Sequence, residues 1–576
     1  MTERLARASA LHPGRVLAAW GITCVLAVAA IVLLLGDALT GEAEQLNNPE
    51  SEQAYALLDR RLPPPPNAKP TFTTDVVLIR SSTLPSSAGQ FAAKVREVQD
   101  ELRGTPGVLY VADKPAAQTR QAVVIEAGLA DDSAGDNVID LVRSASDETF
   151  TVLTTGEWTF DTEQSALSLE DLRKGELEFG LPVALIVLLL VFGAVVAGLI
   201  PVATALIAIL VAVGLTGVVG IFTDLSIFTI NMISGMGLAL GIDYALFVVS
   251  RFREERTNGR EKLDAIEAMG GTASRAVLFS GLAFVIAMFG LLLIPNTIFR
   301  SLATGAILVG AVSVIAALTL LPAILSLLGD RVNALRLPLI GRSAEQGTAA
   351  ESRFWSSVVR GVMRRPVVSL VLSTALLVAL AIPVLDYHTG EAGIRTMPDR
   401  FASKQGFLAL EQEFGAGTTD SVQVVVDGPV EAPATRSGIE QLAAAMRQDR
   451  TWRRVDTEWH PDRRLAVIEA LPSGDSRDQA ALDGVQRLRQ EEIPAARVLV
   501  TGESAESVDY FQLTDRWLPI LIAFVLTLSF MLLTVAFRSI VVATKAIVLN
   551  LLSVGAAYGV LILVFEKGVG NELFGF

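Results

Sequence analysis

A chain of 576 residues is too long for one ordinary domain, so several units are expected. With 51% hydrophobic residues, only 19% charged and a mean hydropathy of +0.49, it lacks the polar surface that disperses a soluble protein, and the composition is that of an integral membrane protein. The net charge of −14 argues against nucleic acid as a partner. One cysteine, Cys24, excludes disulfide frameworks and cysteine metal sites, and His12, His388 and His460 lie far apart, so neither metal nor cofactor is expected.

Residues 1–15, with Arg4, Arg7 and Arg15, read as a cytoplasmic N-terminus ahead of a first span over residues 16–35. No clean small-residue cleavage site follows, so this segment reads as an uncleaved helix. Residues 42–179 read as a soluble domain in which acids outnumber bases 24 to 12, entered through the stiff Pro63–Pro66 run. Its pattern predicts strand Thr74–Arg80, helix Gly89–Arg103, strands Gly107–Ala112 and Arg120–Glu126, a helix near Asp136–Ser144 and strand Phe150–Thr154. That order, βαββαβ, is the ferredoxin-like α+β arrangement.

Residues 181–328 form a block of five spans: Pro182–Leu199, Val202–Phe222, Ile227–Ser250, Ala276–Ile294 and Ala303–Leu328. Pro182 and Pro519 are expected to open their helices, and Pro322 to kink or end the sixth span. An arginine-rich linker over 329–365 precedes a seventh span over 367–385. A second soluble domain, 386–517, repeats the first: strand Ser421–Asp427, helix Gly438–Arg450, strands Trp452–Asp456 and Arg464–Ala470, helix Arg477–Gln490 and strand Arg497–Thr501. Two spans over 518–564 and a short segment over 565–576 complete the chain.

If the first helix enters from the cytoplasm, both soluble domains fall outside. The loops carrying Arg253, Arg256, Arg260 and Lys262, and Arg331 to Arg365, then fall inside, as the positive-inside bias requires. The two halves also repeat in sequence. Val152-Leu-Thr-Thr-Gly-Glu157 matches Val498-Leu-Val-Thr-Gly-Glu503, and Val202-Ala-Thr204 matches Val542-Ala-Thr544. The first half has six spans and the second three, which predicts a fragment, or else a natural truncation, holding nine of twelve helices.

The segment Asn231–Arg253 (NMISGMGLALGIDYALFVVSRFR) carries Asp243 and Tyr244 inside an apolar span. An aspartate there costs about 2.5–3.5 kcal/mol on insertion scales, so it is rare and a candidate for reversible protonation. Gly237 and Gly241 predict close helix packing, and Arg251 and Arg253 a cytoplasmic anchor. Ser280 and Asn231 are candidate lining residues of the same relay. Lys545, inside the ninth span, is expected to snorkel to the interface. Asp509-Tyr510 repeats the dipeptide outside the membrane and is not expected to be a second relay pair.

Gly237-Leu-Ala-Leu-Gly-Ile-Asp-Tyr-Ala-Leu-Phe247, Ser250-Arg-Phe-Arg-Glu254, Val277-Leu-Phe-Ser-Gly281 and Leu318-Thr-Leu-Leu-Pro-Ala-Ile324 resemble the MmpL (mycobacterial membrane protein large) branch of the resistance–nodulation–division (RND) transporters. The resemblance covers essentially the whole chain. It implies a polytopic α-helical membrane protein of the RND/MMPL type with a sterol-sensing-like helix block. It also implies a non-enzymatic, proton-driven exporter of lipids or lipid-like molecules in the bacterial inner membrane. In that family Asp-Tyr pairs on the fourth and tenth helices form the proton relay, of which Asp243 and Tyr244 would be one pair. Expected partners are hydrophobic cargo, protons and membrane lipids, with a homo-oligomer or an adaptor protein as further candidates. The alternatives are a sterol-sensing-domain-like lipid sensor without transport and an accessory factor for protein secretion.

Overall fold

The computed structural model describes residues 1–40, 45–61, 74–112, 117–130, 132–223, 225–336, 353–387, 394–414, 421–461, 463–474 and 476–570. The Pro63–Pro66 run, His388 and the middle of the arginine-rich linker lie outside the described residues. The chain divides into two compact units, one made of Met1–Glu44, Leu169–His388 and Trp517–Phe576, the other of Gln45–Ser168 and Thr389–Arg516.

Nine helices among the described residues are long and apolar enough to cross a membrane. They are Pro13–Gly36, Trp158–Phe192, Val195–Val219, Phe228–Thr257, Lys262–Leu291, Thr297–Asn333, Pro366–Asp386, Glu503–Phe537 and Ile540–Glu566, here the first to ninth spans. Within the first unit the first span packs on the third, the third on the fourth, and the sixth on the third, fourth and fifth; the seventh packs on the ninth. The N-terminal helix Thr2–Leu11 buries Ala6 and Ala10 against Lys262–Gly271 and Leu321–Leu328. Ser326 donates to the Ala10 carbonyl at 2.8 Å, and Arg7 pairs with Glu267.

The helix boundaries follow expectation only in part. The second span ends at Phe192, not Leu199, because Gly193 adopts a left-handed conformation (φ 62°) and its N–H closes on the Leu189 carbonyl. Pro201 then lies inside the third span. Pro182 does stand in the first turn of the α-helix Leu181–Phe192, which continues a longer helical run from Trp158, whereas Pro519 does not open its helix and lies inside Glu503–Phe537. At Pro322 the winding of the sixth span changes: Pro322 stands in the first turn of the α-helix Leu321–Leu328, after which a 3-10 turn runs on to Asn333. Directly before Pro182 the helix is π-wound over Leu172–Gly180, and before Pro322 over Ala316–Leu320. Such wider turns are a local adjustment by which a helix passes a missing N–H.

The second unit holds two antiparallel sheets. The first comprises β1 (Thr74–Arg80), β2 (Val108–Val111), β3 (Ala122–Leu129) and β4 (Thr151–Thr155) in spatial order β2-β3-β1-β4, with the short strand Ala117–Gln118 also on β3. The second comprises β5 (Val422–Asp427), β6 (Trp452–Trp459), β7 (Leu465–Pro472) and β8 (Arg497–Thr501) in the equivalent order β6-β7-β5-β8. In both, helices follow the first and third strands: Gly89–Gly104 and Asp132–Ala145, then Pro433–Gln448 and Gln479–Leu488.

Strand residues alternate between two apolar faces. Val77, Ile79, Ile125 and Val152 pack against Phe91, Val98, Leu102 and Val138 of the sheet's own helices. The opposite face, Val76, Leu78 and Val124, packs against Ala409 and Leu410 of helix Ala402–Phe414, which comes from the second half of the chain. The exchange is reciprocal. Val425, Val467 and Leu499 of the second sheet pack against Ala54, Leu57 and Leu58 of helix Glu50–Arg61, from the first half. At Gly406 a Cβ would stand 2.2 Å from the Thr154 carbonyl, so the exchanged helix lies on β4 closer than any side chain would permit.

The N-termini of the exchanged helices are held by carboxylates at equivalent repeat positions. Glu163, six residues after Glu157, accepts the Ala402 and Ser403 amides at 2.7 and 2.9 Å. Asp509, six residues after Glu503, accepts the Ser51 amide at 3.2 Å and two N–H groups of Arg489 at 2.6 and 2.9 Å.

Candidate functional site

The fourth span, Phe228–Thr257, is positioned by small residues. A Cβ on Gly241 would lie 2.7 Å from the Ala205 Cβ and 2.8 Å from its Cα, and one on Gly237 would lie 2.3 Å from Ile209 and 2.9 Å from Val309. The fourth helix therefore meets the third and sixth through its glycine face. Successive helical residues turn by about 100°. Asp243, two residues beyond Gly241, is thus carried to the opposite side, where its side chain is exposed.

Tyr244, one further step round, points inward and is 4% exposed. It packs in the same cluster as Val277, Val314 and Ala317, and its hydroxyl is 3.5 Å from where a Gly281 Cβ would be. The hydroxyl interacts with that of Ser280, yet it has no hydrogen bond of ordinary length among the described residues. Ser280 is exposed. The structure thus brings Tyr244 and Ser280 together at the level of Asp243. Asn231 is not part of this group: twelve residues separate it from Asp243, about 18 Å along a helix. Its carbonyl accepts from Ser234 at 3.1 Å.

At its far end the same helix is tied down on several sides. Arg253 donates to Asn333 Oδ1 at 2.7 Å and to the Phe192 carbonyl at 3.0 Å, and its guanidinium stands 5.4 Å from the Phe192 ring centre. Arg251 pairs with Glu254 at 2.7 Å and with the buried Glu255 at 2.5 Å, and Arg260 reaches Glu255 at 3.0 Å. Lys545 is exposed in the first turns of Ile540–Leu561.

One acidic residue beside the helix was not singled out from sequence. Glu176, in the π-wound stretch of the second span, interacts with Ser234, and its Oε1 lies 3.1 Å from where a Gly235 Cβ would be. Its Oε2 is buried without a hydrogen bond among the described residues. The charged run Leu172-Arg-Lys-Gly-Glu176 reads as a solvated lead-in to the span, and only packing turns Glu176 toward the fourth helix.

The sequence profile described as the MMPL family matches residues 86–369 and 396–575, most of the chain. The chain belongs to the MMPL family, within the RND superfamily. Among its MMPL relatives, the Mycolic acid-containing lipids exporter MmpL11 of Mycolicibacterium smegmatis is 32% identical over 69% of this chain and 42% of its own length. The Heme uptake protein MmpL11 of Mycobacterium tuberculosis is 31% identical over 73% of this chain and 44% of its own. The Putative membrane protein SCO6666 of Streptomyces coelicolor is 30% identical over 99% of this chain and 78% of its own. The chain spans less than half the length of the two MmpL11 relatives it matches. With this membership and nine apolar helices, it is a multi-pass membrane protein.

Proposed function

We propose that this MMPL chain acts in proton-driven export of lipids or other hydrophobic molecules across the bacterial inner membrane, as a secondary transporter and not an enzyme. The observation that carries the reading is the placement of Asp243. It is a carboxylate midway along an apolar helix, turned to the open face by glycine contacts on the other side, with the inward Tyr244 beside it and Ser280 next to the tyrosine. A carboxylate at that depth is costly unless protein or water meets it, and its protonation state is a switch that can bias two arrangements of the helices. Asp243 would take up and release the proton, Tyr244 and Ser280 would hold its hydrogen-bonded path, and the Gly237–Gly241 face would be the surface on which the fourth helix shifts. Arg251 and Arg253 would anchor its cytoplasmic end.

The orientation follows from charge: the N-terminus and the arginine-rich loops inside, both sheet domains outside. Each sheet, with its strand order and helices after the first and third strands, fits the ferredoxin-like α+β type. The names of the relatives support a hydrophobic cargo and extend to haem as well as lipids.

The test is Asp243→Asn in the protein made from the complete reading frame, with outward lipid movement measured in inverted vesicles under an imposed proton gradient. Transport should fall by about 100-fold or more, the range lost with an essential proton-transfer group, while the folded yield is unchanged. Transport at wild-type rate in Asp243→Asn would sink the exporter reading and leave lipid sensing ahead.

A further inference from the structure

The helix Arg353–Arg364 is joined to the seventh span by Arg365, whose backbone (φ −136°, ψ 64°) is not helical because Pro366 follows it. The helix therefore leaves the span axis within one residue of a segment that crosses the bilayer, which puts it at the membrane surface. Its two sides differ sharply. Arg360 and Arg364 lie about 40° apart on the helical wheel, and Val358 and Val362 lie about 40° apart on the opposite side, flanked by Val359. Val358, Val359 and Val362 are 40%, 57% and 45% exposed.

The repeat supplies a contrast. In the first half, Thr2–Leu11 joins the first span by the same device, His12 at φ −126°, ψ 54° before Pro13. That helix carries Glu3, presents the small Ala6 and Ala10, and buries them against protein. The second helix presents bulkier valines to the open, and no acidic residue occurs between Arg353 and Leu385 to offset Arg360, Arg364 and Arg365. A cationic face over a branched apolar face, fixed at the end of a span, matches the boundary between phosphate headgroups and acyl chains.

We propose that Arg353–Arg364 lies in the headgroup layer and binds anionic phospholipid, with Val358, Val359 and Val362 among the upper acyl carbons and Arg360, Arg364 and Arg365 on the headgroup phosphates. The position of this helix at the start of the seventh span then depends on the lipid around it. This does not depend on the transport reading.

The experiment uses the whole chain with Cys24→Ser, so that Val359→Cys gives the one thiol, labelled with the fluorophore NBD. It is reconstituted in vesicles of phosphatidylcholine alone or with phosphatidylglycerol, with or without acyl-chain doxyl quencher. With phosphatidylglycerol the NBD emission should shift to the blue and be quenched by doxyl lipid. Arg360→Gln or Arg364→Gln should each lower the shielded-to-exposed ratio about fivefold, the effect of one basic residue at an anionic surface, and high salt should do the same. A label at Val358→Cys repeats the measurement, and circular dichroism checks that each variant is folded. A probe shielded equally in both lipids and indifferent to the arginines would overturn the proposal. So would a probe shielded but not quenched by doxyl lipid, which means a protein cover, or one exposed in both lipids.

Discussion

Asp509→Ala tests the exchange of helices between the two sheets. The Asp509 side chain is 6% exposed and its partner Arg489 11%. The substitution removes the acceptor of the Ser51 amide at the start of Glu50–Arg61, a loss of about 1 kcal/mol for a helix cap. It also leaves Arg489 buried without its main counter-charge, a loss of about 3–5 kcal/mol for a broken buried pair. Glu50, whose Oε1 is 3.6 Å from Arg489 Nε, retains part of the neutralisation. That brings the second loss down to about 2 kcal/mol and the sum to about 3 kcal/mol. The assay is hydrogen exchange of the amides in Glu50–Arg61, with Gly89–Gly104 as the internal reference. Exchange in the exchanged helix should speed up on the order of 100-fold while the reference stays put. Pairing Asp509→Leu with Arg489→Met should restore most of the protection, since the charge left without its partner, Glu50, is partly exposed and no fully buried charge remains. Unchanged exchange in Glu50–Arg61 would refute this account. Loss of proton-coupled transport with full protection would make Asp509 a proton carrier after all.

Other positions give simpler tests. Glu163→Ala should loosen Ala402–Phe414 by about 1–3 kcal/mol, because two buried amides lose their acceptor; faster exchange confined to that helix is the expected readout. Gly241→Leu should lower the melting temperature in detergent and the folded yield, since the obstacle is the Ala205 backbone, which cannot swing aside. Gly361→Ala, with nothing within 4 Å, should leave both unchanged. The Thr451 amide, and after it the Thr451 and Arg487 side chains, hold the Asp449 carboxyl below its usual range. A lowered carboxylate contributes stability that is complete above the ordinary pKa of about 3.9 and fades as pH falls through the lowered value. Urea unfolding of the wild type should therefore lose a small increment below about pH 4 that Asp449→Asn lacks.

Much of the architecture was legible because it is written in local periodicity. Long apolar runs marked nine spans, and short runs of branched apolar residues marked β1 and β8 at the residues where they occur. The Thr-Gly-Glu repeat disclosed the two halves. Helices Glu50–Arg61 and Ala402–Phe414 were missed because each carries only a short apolar stretch, Ala54, Leu57 and Leu58 in one and Phe407 to Leu410 in the other. Nothing local says which sheet such a short stripe will cover. The boundary expected at Pro519 failed for a related reason: a missing N–H weakens an isolated helix, but the chain continues as one helix from Glu503 to Phe537.

The sequence alone determined that this chain is a membrane protein, that it repeats, and that one aspartate sits at a depth where charge is expensive. Those properties depend on residue types and their spacing along the chain. The tertiary structure decided that the glycines turn Asp243 outward and Tyr244 inward, that Glu176 meets the same helix, and that Asp509 caps an exchanged helix. Each of these is a contact between segments far apart in the chain, and periodicity specifies which face a residue occupies but not what lies against it.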